Sequence, residues 1–190
     1  FYCCFASISN DLRYSKMKNL ISICVLCLGF VSLLANAEPP VLQTPSPVIY
    51  LAENLDEPDN LGWCIDTLGR GFSEQLQTHS CKPQGGDVQF SYNEETRQIM
   101  SAEFPGKCAD LNLPAAAGVS FDLLDCSSSS EQKFVYSAAS MEFMPEAEQS
   151  LCITAGAASR SAGPFVSRTL ELAPCASTDL ALKQWVVKGD

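Results

Sequence analysis

Histidine is almost missing from this sequence: His79 is the only one. A zinc site built from several His and Cys ligands is therefore hard to assemble, and a Ser-His-Asp triad would have a single choice of base with nothing to single out its serine. Neither Gly-x-Ser-x-Gly nor His-Glu-x-x-His occurs, which removes a hydrolase elbow and a zinc-protease helix. Cations are also scarce, 12 Lys+Arg against 22 Asp+Glu. Nucleic acids and anionic membranes are held by Lys and Arg neutralising phosphates, so neither is an expected partner. Paired carboxylates for glycoside hydrolysis would need a deep cleft, and no cofactor, metal or enzymatic activity is expected. Disorder is excluded as well, because 46% of the residues are hydrophobic and only 18% charged.

Long hydrophobic runs are limited to one. Met17-Lys18 opens a basic start, followed by the apolar stretch Leu20 to Leu34 and then Ala35-Asn36-Ala37. Its 15 residues fall short of the roughly 20 that span a bilayer, and small residues precede Glu38 as signal peptidase requires. Residues 1–37 thus read as an upstream in-frame extension plus a signal peptide cleaved before Glu38. The product is expected to be secreted, periplasmic or extracellular, without membrane insertion. The remaining 153 residues (190 less 37) carry 9 Lys+Arg against 21 Asp+Glu, a net charge of −12. Residues 38–60 hold Pro39, Pro40, Pro45, Pro47 and Pro58 and no cysteine. This segment fits an extended leader, or its Val48–Leu51 run adds a strand at the rim of a barrel.

Ten cysteines are present, and six lie beyond residue 60. Cys64, Cys108 and Cys152 stand 44 and 44 residues apart, and a second cysteine follows each after 17, 18 and 23 residues. Phe90, Phe134 and Trp185 echo them, 44 and 51 residues apart. Leu76-Gln77-Thr78, Phe121-Asp122-Leu123 and Leu170-Glu171-Leu172 alternate with the period of half-buried strands. Self-similarity at a fixed period outranks any local reading. Three copies of a four-strand unit bury their apolar faces by closing around a pseudo-threefold axis, which leaves no long free edge. The expected fold is all-β, a β-trefoil spanning residues 61–190 with three repeats of about 44 residues. Equivalent cysteines should do equivalent jobs, which selects Cys64–Cys81, Cys108–Cys126 and Cys152–Cys175. Gly156 to Gly163, like Pro114–Gly118 and Ser127–Ser130, reads as a surface connection.

A Cys-x-Asp early in repeats one and two, a second cysteine some 17 residues on and a Gln-x-Trp-like motif after it resemble the ricin B-type lectins, β-trefoils named for the galactose-binding chain of a plant toxin and common in secreted bacterial proteins. The resemblance covers about Leu61 to Lys188. Gln-x-Trp is best kept at Gln132-Lys133-Phe134, whereas Val88 and Lys183 replace the Gln in repeats one and three. The resemblance implies shallow pockets in which a carboxylate accepts from sugar hydroxyls and a flat residue stacks on the ring. The matching positions in repeat one are Asp66, His79 and Asp87. Repeat two offers Asp110, Leu124 and Glu131, with Asn112 nearby. Repeat three has Thr154, Ala173 and Leu182, neither carboxylate nor platform. The function implied is a secreted, non-enzymatic lectin that takes galactose-type glycans through repeat one, with repeat two as a further candidate. The competing reading is a trefoil whose sugar sites have decayed and which serves as a protein-interaction or toxin-accessory module.

Overall fold

The computed structural model describes residues 38–189; residues 1–37, where a signal peptide is expected, lie outside them. Where the sequence alternates, it forms short antiparallel strands. The first repeat supplies β1 (Val48–Leu51), β2 (Trp63–Thr67), β3 (Leu76–Ser80) and β4 (Phe90–Asn93). The second supplies β5 (Gln98–Ser101), β6 (Lys107–Leu111), β7 (Phe121–Asp125) and β8 (Phe134–Ser137). The third runs β9 (Glu142–Pro145), β10 (Leu151–Ala155), β13 (Leu170–Pro174) and β14 (Trp185–Lys188), with an additional hairpin, β11 (Arg160–Ala162) and β12 (Phe165–Arg168), set between β10 and β13.

Two kinds of pairing recur with the same register. The barrel closes through β14–β1, β4–β5 and β8–β9, where Trp185 faces Leu51, Phe90 faces Ser101 and Phe134 faces Pro145. The hairpins β2–β3, β6–β7 and β10–β13 place Cys64 opposite His79, Cys108 opposite Leu124 and Cys152 opposite Ala173. All three disulfides form as the repeat requires, Cys64–Cys81, Cys108–Cys126 and Cys152–Cys175. The hairpin layer is also closed in a ring. Leu123 N–H donates to the Glu74 carbonyl, Leu172 N–H to the Val119 carbonyl, and β12 pairs with β3 at Arg168 and Thr78. This is a β-trefoil.

One core fills it. Phe90, Phe134 and Trp185, the residues that echo one another in sequence, are fully buried together with Ile49, Ile99 and Phe143 from the partner strands. Tyr92 and Tyr136, 44 residues apart, each donate a hydroxyl hydrogen bond to the next repeat, to the carbonyls of Phe134 and Trp185, both at 2.8 Å. Val187 takes the corresponding place in β14 and has no hydroxyl to give. The Gln-x-Trp position is solved three ways. Gln132 donates to the Asp125 carbonyl at 2.9 Å and accepts from Ser127 N–H at 2.7 Å. Lys183 reaches the Cys175 carbonyl at 2.6 Å, and Val88 packs on Cys64 and Cys81 instead.

The Pro-rich segment is built into the molecule. β1 pairs along its whole length with β14, so the barrel begins at Val48 and not at the Leu61 boundary that the cysteine spacing suggests. Its prolines lie outside the paired residues, where a missing N–H costs no ladder bond. Upstream, Thr44 donates to the Lys82 carbonyl at 2.9 Å. Downstream, buried Glu57 accepts from Asp59 N–H, Leu61 N–H and the Ser80 hydroxyl. Gly62 marks the close approach: at φ 84° a Cβ there would stand 2.7 Å from Pro40 Cβ. The Gly156–Gly163 stretch is likewise more than a surface connection. Its distal half becomes β11, folds back through Gly163, and delivers β12 to the edge of β3.

Candidate functional site

A cleft of about 860 Å³ opens at repeat one. Its floor is the polar edge of β3, Gln77 and His79, with Lys82 directly after the second cysteine. One wall is the loop Leu68–Gly71 with Gly85, Gly86 and Asp87; the other is the β11–β12 hairpin, including Arg160 and Phe165. The volume suits a small ligand, for which pockets run to roughly 300–1,000 Å³.

The floor is wired by one chain of hydrogen bonds. Arg160 donates to Gln77 Oε1 at 3.2 Å, and Gln77 Nε2 donates to Asp66 Oδ2 at 3.3 Å. Lys82 Nζ donates to Asp66 Oδ1 at 3.2 Å and to Asp87 Oδ1 at 2.7 Å. Gly71 N–H completes the chain on Asp87 Oδ2 at 3.2 Å. A lysine shared by two carboxylates gives a rigid floor, since moving any member leaves a charge unpaired in a poorly hydrated place.

The structure brings Asp66, His79 and Asp87 together, but at different depths. Asp66 has no exposed surface, and both its oxygens are occupied from within. Burial pushes its carboxyl up to about 7, against the pull of Lys82; Asp87 adds to the rise, and Gln77 opposes it. His79 is 4% exposed, not an exposed strand histidine, and packs edge-on against Phe165 with ring centroids 5.5 Å apart. Burial holds its imidazole below the usual value. Nδ1 stands 2.9 Å from the Ser80 carbonyl, the contact of an N–H donor, which leaves Nε2 as the acceptor. Asp87 keeps 12% of its side-chain surface exposed and lines the cleft, whereas Asp66 does not, so Asp87 is the carboxylate a ligand meets.

Repeat two is assembled differently. Asp110 pairs across β6–β7 with Asp122, whose carboxyl is raised by burial and then by the neighbouring charges of Asp110 and Glu74. Asn112 is exposed and donates to Ser120 Oγ at 2.5 Å. Glu131 accepts from the Ser129 and Ser130 hydroxyls, which hold its carboxyl below the usual range. Leu124 occupies the place that His79 has in repeat one. In repeat three, Thr154 is buried and donates to the Glu171 carbonyl at 3.0 Å, and Ala173 offers no ring. Among the described residues no group of three or more His, Cys, Asp or Glu is placed to hold a metal ion.

Lys82, Gln77 and the whole hairpin wall escape a sequence reading confined to Cys-x-Asp and Gln-x-Trp. The signals were present: a lysine beside the second cysteine of one repeat only, and a Cys152–Cys175 interval of 23 residues where the other two are 17 and 18.

With this geometry in hand the chain compares as follows. No protein-family model matches it, and no curated protein does. Among solved structures, the β-trefoil lectin of the Vibrio vulnificus hemolysin/cytolysin with N-acetyl-D-lactosamine bound aligns over 75% of this chain and 92% of its own, at 12% identity and a TM-score of 0.51. A mosquitocidal holotoxin aligns over 79% of this chain and 18% of its own, at 12% identity and a TM-score of 0.50. GalNAc-T7 with UDP, GalNAc and Mn2+ aligns over 80% and 23%, at 16% identity and a TM-score of 0.49. At such identities the likeness is one of fold, the β-trefoil. Among the described residues no helix is long and apolar enough to cross a membrane.

Proposed function

We propose that the protein is a secreted, non-enzymatic lectin that binds galactose-type glycans in the repeat-one cleft. The observation that carries this reading is the cleft itself, where a partly exposed carboxylate (Asp87), a shared ammonium (Lys82) and the ring pair His79–Phe165 converge on one open space. Sugars need this mixture: fixed charged partners for neighbouring hydroxyls and an apolar face for ring C–H groups. Asp66 acts from beneath, fixing Lys82 and Gln77, while Asp87 receives the hydroxyls. The lactosamine bound to the Vibrio β-trefoil supports a glycan as ligand class, and the three disulfides suit an oxidising compartment.

Titration calorimetry with lactose tests the assignment. Asp87→Ala removes the accessible acceptor of charge-assisted hydrogen bonds, each worth about 1.5–3 kcal/mol, so affinity should fall at least about tenfold. Thr154→Ala should leave affinity unchanged. Full affinity in Asp87→Ala would move the site elsewhere. One observation favours the second reading, a protein-interaction or toxin-accessory module: the Asp of Cys-x-Asp is wholly enclosed. That reading wins if a glycan array shows no binding by the folded wild-type protein.

A further inference from the structure

The hairpin β11–β12 has no counterpart in the other two repeats, and it changes the charge of the cleft that it walls. Lys82 is neutralised by the carboxylates it touches. Arg70 on the loop wall and Arg160 on the hairpin wall are both exposed, and among the described residues neither forms an ion pair. The other cations are mostly committed: Arg97 to Glu146, Lys107 to Asp125, Arg168 to Asp56 and Lys183 to Glu142. Two guanidiniums without an ion pair thus line one cleft of a chain that carries 9 Lys+Arg against 21 Asp+Glu beyond residue 37. Facing them are Asp87, already paired with Lys82, and the exposed Glu103.

Arg160 is also pre-positioned. Its hydrogen bond to Gln77 holds the guanidinium against the cleft floor and leaves further N–H donors for a ligand. A guanidinium presents donors in a flat fork that matches a carboxylate or a sulfate oxygen pair. Resting on the proposal that this cleft binds glycan, we propose that it selects an acidic oligosaccharide, one whose neutral sugar sits by Asp87 and His79 while its carboxylate or sulfate is clamped between Arg70 and Arg160.

Calorimetry with lactose, sialyllactose and sulfated lactose on the wild-type protein tests the idea, and the last two probes separate carboxylate from sulfate. At least one charged probe should bind about tenfold more tightly than lactose, as a charge-assisted bond or two would give. In the Arg70→Gln, Arg160→Gln double variant, with its fold checked by circular dichroism, the ratio of charged to neutral affinity should fall to within about twofold of unity. Lys188→Gln, which lies on β14, should keep the wild-type ratio; loss there would mean a diffuse charge effect and overturn the clamp. Equal wild-type affinity for all three probes would overturn the acidic preference while leaving the lectin reading intact. Binding of none of them would overturn both.

Discussion

Burial raises the Asp66 carboxyl to about 7, against the pull of Lys82. Its folded value of about 7 lies above the unfolded reference of 3.8, so the folded state binds the extra proton between those limits. The contribution to stability is fully present below pH 4 and is lost as pH rises through 7, a span of about three pH units or about 4 kcal/mol. His79 acts in the opposite sense: its folded value is depressed, so its contribution holds at neutral pH and is lost as pH falls below that of free histidine. Subtracting the urea stability of Asp66→Asn from that of wild type isolates the first effect. The difference should decline as pH goes from 4 to 8. A flat difference would show that Asp66 is ionised at little cost, and that Lys82 compensates for its burial fully.

At the scale of elements, the three disulfides are equivalent in sequence but not in setting. Cys64 and Cys81 are fully buried in a small cluster with Val48 and Val88, whereas the second cysteines of the other pairs, Cys126 and Cys175, are only half-buried. Replacing a pair by alanine should cost roughly 2–5 kcal/mol through the unfolded chain in every repeat. The loss should be greatest for Cys64→Ala with Cys81→Ala, which also opens a void in that cluster. Thermal denaturation of the three double variants gives the ranking, and equal losses would show that packing around the sulfurs contributes nothing.

The same elements show what could be read beforehand. The cysteine hairpins were legible because a 44-residue period runs through Cys64, Cys108 and Cys152 and through Phe90 and Phe134. β1 was ambiguous because Val48–Leu51 sits among prolines, and its partner, β14, is far along the chain. The longer Cys152–Cys175 interval announced an insertion, but not its strands, since Arg160-Ser161-Ala162 is short and polar. That Asp66, His79 and Asp87 belong to one site was implied by the resemblance; that Lys82 would bridge the two carboxylates and leave Asp66 enclosed beneath the cleft depends on side-chain packing that no spacing encodes.

For the whole molecule, the ring of three junctions makes a quantitative expectation. Ile49 and Ile99 occupy corresponding places in β1 and β5, and both have no exposed surface. Ile49→Ala and Ile99→Ala should therefore each cost about 2–5 kcal/mol, the range for truncating a buried aliphatic side chain. Chemical denaturation would decide; a negligible loss for Ile49→Ala alone would take β1 out of the barrel.

The pairing of β1 with β14 has a further consequence, for the order in which the molecule can be made. On the ribosome the strand that opens the barrel emerges first and its partner last, with every other strand synthesised in between. The cysteine hairpins close over short intervals, so both strands of each are present before the barrel's last strand. The barrel has no such liberty. Until β14 is released, β1 has only its Tyr50–Cys64 bridge to β2, and Trp185, which plugs the core from β14, has not been placed. Closure of the barrel is thus timed by the one junction that joins its first and last strands.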